Sequence, residues 1–560
     1  MKLYYTLLLS VFFSLAGTCQ QTTLEEKLKS INQLLEPYDR LGPGYAIGII
    51  KDGELIFSKG YGYANLDHNV AISDSSIFYI GSMAKQFTAA GLLILEEEGK
   101  LDFKKEVRYY LPEFPEYDWP VRVEHLVHHT SGIRETNSLQ LFQGVDHKFE
   151  EVFDTQDLVN LVISQKELNF QSGEQFRYSS GGYAVLAKII ERITGSSLRE
   201  FLKERIFDPL GMQNTFVSDN HNEIVKDRVT SYWFVGDTWE RRSLVFDAYG
   251  DGGIMTSVQD LAKWDKAFYH DILGIKDFAK KMYRKGNLNN GNEIDYARGL
   301  QVISYKGHKM ITHNGGMLGF RVDMVRFPEE RFSGIVLGNS ASMNPTWQVA
   351  VKIADLFLEP RDIAPEGNKN EARERMTIED PESMIGKYFF DDLNNWKKIT
   401  LKNDSLYMNE KIPLIPLSEN EFSASVSGLN TSIRFMDDSK MVMEDRFRSM
   451  QGYKFDDTPP GTMADVDKYI GRYRSMELNV DHEIYQDGER LMLRIADNEP
   501  IILFPDPTDK RINWNSKDKV WIGNGMIKFV LDKSGLVKGY YIGDSRVKGV
   551  YFEKLVDANK

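Results

Sequence analysis

The chain has 560 residues, and 69 basic side chains against 82 acidic ones leave a net charge of −13. That length predicts several domains, and a hydrophobic fraction of 42% with 12% aromatics excludes a disordered chain. The single cysteine excludes an internal disulfide, a cysteine-rich zinc site and an iron–sulfur cluster, and the acidic balance argues against a general nucleic-acid binder.

The first segment, 1–19, opens Met1-Lys2, continues through an apolar run from Leu3 to Ala16 and ends on small residues. It reads as a secretory signal peptide. The run is shorter than the roughly 20 residues that span a bilayer, and no later segment is apolar enough for the purpose, so no transmembrane span is expected in the mature chain. Cys19 closes the segment and is a candidate lipid anchor, as the first residue of a mature lipoprotein. With or without lipidation, the fold keeps no free thiol. The expected place is the bacterial periplasm or cell envelope.

Residues 24–358 mix helix and strand signals. Leu24–Leu35 is an amphipathic helix; Tyr45–Ile50 and Glu54–Phe57 are strands joined by an Asp52-Gly53 turn. Helical patterns follow at Ser82–Glu98, Tyr183–Thr194 and Val258–Tyr269, and strand signals return at Gly299–Tyr305, Phe320–Phe327 and Ser333–Asn339. Strands at both ends with helices between predict one α+β domain whose sheet draws on both termini. The proline-rich, charged stretch 359–382 is a linker.

Short alternating strands dominate beyond it, and the pattern is duplicated. Ile385-Gly386-Lys387-Tyr388 matches Ile470-Gly471-Arg472-Tyr473, and Ile433-Arg434-Phe435 matches Ile527-Lys528-Phe529. Two small antiparallel β-barrels, 383–457 and 462–557, are expected, with Pro459-Pro460-Gly461 at the join. One continuous β-sandwich is the alternative.

The chemistry centres on Gly81-Ser82-Met83-Ala84-Lys85, which opens a helix apolar on nearly all sides and ending at Gly99. Three-residue spacing puts Lys85 on the helix face of Ser82. Serine needs a base to become a nucleophile, and a lysine serves where burial or a neighbouring cation lowers its pKa. Ser-x-x-Lys should occur about once or twice by chance in a chain of this size. Ser516–Lys519 and Ser545–Lys548 match too, but the first reads as a polar turn and the second as a solvated strand. Arg177-Tyr178-Ser179-Ser180-Gly181-Gly182 is a glycine-bounded loop able to present hydroxyls, or a plain helix cap. Thr312-His313-Asn314-Gly315-Gly316 precedes a strand and is either a close-approach site for substrate or a hairpin turn.

These three segments, in this order, resemble the motifs of penicillin-recognising serine hydrolases: class C β-lactamases, DD-peptidases, family VIII-type esterases and D-aminopeptidases. His129-Thr130-Ser131-Gly132, Phe207–Met212 and Gly252-Gly253-Ile254 resemble recurring family segments. The resemblance covers about residues 25–357. It implies a β-lactamase/transpeptidase-like domain, an antiparallel sheet flanked by helices, followed by two lipocalin-like barrels. It implies Ser82 as nucleophile, Lys85 and Tyr178 sharing base and acid duty, and the backbone N–H groups of Ser82 and Gly316 as the oxyanion hole. Ser180, His313, Asn314 and Gly315 would bind substrate, and no cofactor is expected.

Two departures bear on substrate. Class C β-lactamases usually carry Asn where this chain has Ser180 and Lys where it has His313, and a mostly neutral histidine is a poor partner for a substrate carboxylate. His-x-Gly resembles D-aminopeptidases and related esterases instead. The expected activity is therefore acyl-enzyme hydrolysis of esters, or of amides and peptides of small or D-amino acids. A β-lactamase or DD-carboxypeptidase, and a non-catalytic penicillin-binding-like interaction module, are the alternatives. The partner is a small-molecule or peptide substrate, not nucleic acid. His125, His128 and His129 form a cluster, but no Glu stands between His125 and His129, so no metal site is expected.

Overall fold

The computed structural model describes residues 22–145, 152–361, 380–390, 395–455, 466–505, 511–514 and 526–555, apart from positions 403, 427–428, 438, 446–447, 489 and 497. The expected signal peptide with Cys19, most of the linker, the Pro459-Pro460-Gly461 join and the Ser516–Lys519 match lie outside the described residues.

Helix α1, Leu24–Leu35, starts in a capping box: Thr23 N donates to Glu26 Oε2 at 2.8 Å while Glu26 N donates to Thr23 Oγ1 at 3.3 Å. Strands β1 (Tyr45–Lys51) and β2 (Glu54–Tyr61) follow as a hairpin. Its two turn residues, Asp52 and Gly53, both have positive φ, 55° and 86°, as a two-residue turn of matching twist requires. The remaining strands of the sheet come from the far end of the domain: β3 (Gln301–Tyr305), β4 (His308–Met317), β5 (Phe320–Phe327) and β6 (Phe332–Gly338). The order is β3-β4-β5-β6-β1-β2, antiparallel throughout, with Tyr45 opposite Gly338 where the two ends of the domain meet.

Alternation along β1 builds two cores. Tyr45, Ile47 and Ile49 pack with Ile31 and Leu35 of α1 and with Val349 and Ile353 of a C-terminal helix, Thr346–Asp355. Ala46 and Ile50 face the larger core, which contains Phe87 and Leu92 of α2 (Lys85–Glu97), Tyr183 and Leu186 of α3 (Ser180–Thr194), and Leu261 and Trp264 of α4 (Val258–Lys266). Every residue of α2 from Lys85 to Leu95 is buried, as its all-round apolar sequence predicts, and Gly99 follows at φ 69°.

Beyond the linker, strands from Gly386 to Phe455 form a nine-stranded antiparallel sheet. Its edge strands, Ile412–Pro413 and Ile415–Pro416, are separated only by Leu414, so the chain itself joins the two edges. Strands from Gly471 to Lys554 close into an eight-stranded barrel. The duplication read from the sequence is a duplication of structure. Gly386 and Gly471 open the first strand of each unit, and a Cβ on either would press on the side chain of a lysine in the last strand, Lys454 or Lys554. Those lysines donate to Ser383 O at 2.6 Å and Lys468 O at 2.8 Å, and Tyr388 and Tyr473, both fully buried, donate to the carbonyl four residues upstream.

The closed barrel docks on the N-terminal domain. Leu139, Phe142 and Leu161 share one buried apolar cluster with Tyr473, Ile484 and Ile495. Arg134 Nη1 donates to Glu477 Oε2 at 2.6 Å with both side chains nearly buried. His482, held neutral by burial with its pKa lowered to about 4, donates from Nε2 to Phe142 O at 2.7 Å and accepts at Nδ1 from the Tyr540 hydroxyl.

Candidate active site

Ser82 sits in a 3₁₀ turn, Gly81–Ala84, that leads into α2, so the α-helix begins at Lys85 and not at Ser82 as the sequence suggested. The tighter turn serves the chemistry better, because residues three apart eclipse on a 3₁₀ turn. Lys85 Nζ lies 3.1 Å from Ser82 Oγ and donates to Asp251 O at 2.6 Å. Lys85 is fully buried, and its Nζ lies 5.0 Å from the Tyr178 ring centroid and 5.5 Å from that of Tyr183. No side chain caps the start of the 3₁₀ turn, whose Met83 N–H donates to Ile80 O at 3.2 Å.

The glycines of β4 bring that strand against the turn. A Cβ on Gly315 would overlap the Ile80 carbonyl oxygen, and one on Gly81, at φ 49°, would lie 2.7 Å from Gly316 N. The Gly316 amide is thus seated against Gly81, the residue before Ser82. His313-Asn314-Gly315-Gly316 lies inside a continuous ten-residue strand, neither a loop ahead of one nor a hairpin turn; the turn comes later, where Leu318 takes φ 50°. Alternation then corrects one expected substrate contact. Ile311 belongs to the core on the Ser82 side and Met310 to the core under the terminal helices, so His313 and Gly315 face the site while the Asn314 side chain points to the other face, exposed.

His313 is 3% exposed. Burial, with a smaller push from Lys85, lowers its pKa to about 3, so the ring is neutral. Its Nδ1 donates to Asn314 O at 2.6 Å, which leaves Nε2 to accept from the Tyr296 hydroxyl at 2.8 Å. Burial raises the Tyr296 pKa well above the usual phenol range, so that hydroxyl keeps its proton.

Tyr178 lies just ahead of α3. Its hydroxyl is buried without a hydrogen-bond partner among the described residues, and its ring stacks on His129 at 4.1 Å between centroids. Ser179 occupies the N-cap position of α3 but does not cap by side chain; its hydroxyl donates to Arg134 O at 3.3 Å, and its N–H donates to His129 Nδ1 at 3.2 Å. The helix start is instead satisfied by a residue the sequence reading missed. Glu135, fully buried, accepts the Ser180 N–H at 2.8 Å, an anion at a helix N-terminus. Ser180 is buried at the first position of α3.

His125 and His128 are committed locally, to Arg122 N and Tyr296 O, and burial holds both neutral, with pKa values lowered to about 4 and 3. Among the described residues no group of three potential metal ligands converges. A cavity of about 760 Å³ edged by Tyr283, Lys285, Lys309 and Glu329 includes none of the Ser82 constellation.

The second missed residue is Arg546. The sequence placed Ser545–Lys548 on a solvated strand; the residues form a turn between strands Val537–Gly543 and Val550–Lys554 of the closed barrel, and the Arg546 guanidinium lies 5.4 Å from the Tyr178 ring centroid. Nothing in the local sequence marks that turn, since only the docking of the barrel brings it to Tyr178.

The Beta-lactamase family matches residues 31–357. Penicillin-binding protein 4* of Bacillus subtilis is 29% identical over 392 residues, which are 66% of this chain and 85% of that one. A D-aminopeptidase of Cereibacter sphaeroides is 25% identical over 81% of this chain and 84% of its own length. A D-aminopeptidase of Brucella anthropi is 30% identical over 54% of this chain and 57% of its own length. The octameric penicillin-binding protein homologue from Pyrococcus abyssi superposes with a TM-score of 0.55 at 24% identity, over 77% of this chain and all of that one, a likeness of fold. The ordered Ser82, Tyr178 and His313 segments, the sheet built from both termini and the matched span together place the chain in the Beta-lactamase family, as a serine hydrolase of the penicillin-recognising kind.

Proposed function

We propose that the protein is an exported hydrolase that cleaves esters, or amides and peptides of small or D-amino acids, through an acyl-enzyme on Ser82. The observation that carries this reading is the 3.1 Å approach of Lys85 Nζ to Ser82 Oγ beside the Tyr178 ring, whose hydroxyl has no partner among the described residues. Lys85 takes the Ser82 proton as Oγ attacks the carbonyl carbon, and the oxyanion is received by the N–H groups of Ser82 and Gly316. The leaving group departs with the Tyr178 proton, which the Lys85 ammonium replaces. A water, deprotonated by the same pair, then attacks the acyl-enzyme and releases Ser82.

The neutral His313 places no cation at its own position, where class C β-lactamases usually carry a lysine. Relatives named D-aminopeptidases support the amide side of the reading. Export rests on the apolar segment 1–19; among the described residues no helix is long and apolar enough to cross a membrane.

Purified protein is expected to turn over a p-nitrophenyl ester or a D-alanine anilide, and Ser82→Ala to abolish that turnover. Activity that survives in Ser82→Ala refutes the nucleophile. Nitrocefin hydrolysis faster than either would move the substrate to β-lactams.

A further inference from the structure

The turn that carries Arg546 is held from both sides. Within the barrel, Asp544 Oδ1 accepts the N–H groups of Arg546 at 2.7 Å and Val547 at 2.9 Å. From the N-terminal domain, Asn169 clamps the same turn with its amide: Nδ2 donates to Arg546 O and Oδ1 accepts from Lys548 N, both at 2.8 Å. Asn169 is 4% exposed and Val547 fully buried. The backbone of Arg546 is therefore fixed, while its side chain is exposed and rests on the Tyr178 ring. Among the described residues it forms no ion pair. Asp544, whose carboxylate feels the Arg546 charge, is already engaged by the backbone N–H groups of Arg546 and Val547 and by Ser138.

His313 is neutral and committed to Tyr296 and Asn314. Among the described residues, the one exposed cation at the Tyr178 ring comes from another domain. A guanidinium offers a planar pair of donors to a carboxylate. Tyr178 protonates the leaving group in the mechanism proposed above, so an anion held by Arg546 belongs to the fragment that leaves.

We propose that Arg546 is the carboxylate anchor of this active site, supplied by the second barrel, and that the substrates carry a carboxylate on their leaving group. The inference rests on the acyl-enzyme reading for its placement of the leaving group. The binding of the anion to Arg546 stands apart from turnover and is tested apart from it.

Two esters of one acyl group, with 3-hydroxybenzoate or 3-hydroxybenzamide as leaving group, differ by a single charge. In the full chain, Arg546→Met is expected to lower the acid-to-amide ratio of kcat/KM about tenfold or more, through KM, as loss of a hydrogen bond between ions predicts. Arg546→Lys recovers part of it, and the effect shrinks at molar salt. An unchanged ratio overturns the proposal. The same two esters are titrated calorimetrically into Ser82→Ala and into Ser82→Ala with Arg546→Met. Tighter binding of the acid in the first and its loss in the second supports the anchor; equal binding of both esters to Ser82→Ala overturns it. If neither ester is hydrolysed faster than by Ser82→Ala, the acyl-enzyme reading fails, and the calorimetry still decides for or against Arg546.

Discussion

Asp323 offers a quantitative check on the sheet that carries the site. It lies on β5 opposite Asn314, is 4% exposed, and accepts the Thr346 hydroxyl at 2.6 Å. Burial pushes its pKa up from 3.8 to about 7, and the bond from Thr346 offsets only part of the push. Between pH 4 and 7 the folded state therefore holds a proton that the unfolded chain has lost, so stability falls as pH rises through this window and the loss is complete above about pH 7. Three pKa units correspond to roughly 4 kcal/mol at pH 8, of which about 1.5 kcal/mol is already lost at pH 5. Asp323→Asn keeps an acceptor for Thr346 and cannot ionise. Its stability relative to the parent should therefore improve by about 2.5 kcal/mol between pH 5 and pH 8. Urea unfolding of both proteins at the two pH values, followed by tryptophan fluorescence, reads the difference. A relative stability that stays constant, or that moves toward the parent as pH rises, refutes a carboxyl kept neutral by burial.

Tyr178→Phe removes a buried hydroxyl that has no partner among the described residues. It should cost about a hundredfold or more in kcat and leave the fold unharmed or roughly 1 kcal/mol more stable; full activity in the variant would strip Tyr178 of its proton-transfer role. Gly81→Ala places a Cβ at φ 49° and 2.7 Å from Gly316 N. Strain of about 1–2 kcal/mol and a shifted oxyanion strand should cut kcat about tenfold with an unchanged circular dichroism spectrum; a parental kcat would show that the Gly316 amide is not held there. With a pKa near 3, the His313 ring should not titrate between pH 5 and 8, which its ring-proton shifts report directly. A midpoint above pH 5 would mean that a charged imidazole serves the site.

Local pattern carried much of this structure. The α1 boundaries, the Asp52-Gly53 hairpin and β5 follow from periodicity and turn chemistry alone, and the paired Gly386 and Gly471 motifs announced two related β units. Expectations failed where the cause was tertiary. Glycines in Thr312–Gly316 left a substrate-approach site and a hairpin turn both open, because one reason for them, the Ile80 carbonyl pressed against Gly315, lies far away in sequence. Asn314 looked like a substrate contact until strand alternation turned it outward. Glu135 caps α3 across 45 positions, and Asp251 serves Lys85 through its carbonyl, which no residue type advertises. Arg546 sat in a chance Ser-x-x-Lys match and acquires meaning only from the docked barrel.

That docking also decides how the barrel's part in the reaction is to be separated from its part in the fold. Removing the barrel would expose Leu139, Phe142 and Leu161 and take the Glu477 carboxylate from Arg134, leaving it Gln165 and the more distant Glu167. Arg134 is tied by its carbonyl to Ser179, next to Tyr178. Loss of activity on truncation would therefore follow from a disturbed Tyr178 whether or not Arg546 touches substrate. Asn169→Ala is the narrower change. It frees the backbone of Arg546 and Lys548 while leaving the apolar contact, the Arg134–Glu477 pair and the His482 bond to Phe142 in place. If the turn positions a carboxylate-binding arginine, Asn169→Ala weakens the acidic ester more than its amide twin. If the turn is only a structural prop, the two esters suffer alike.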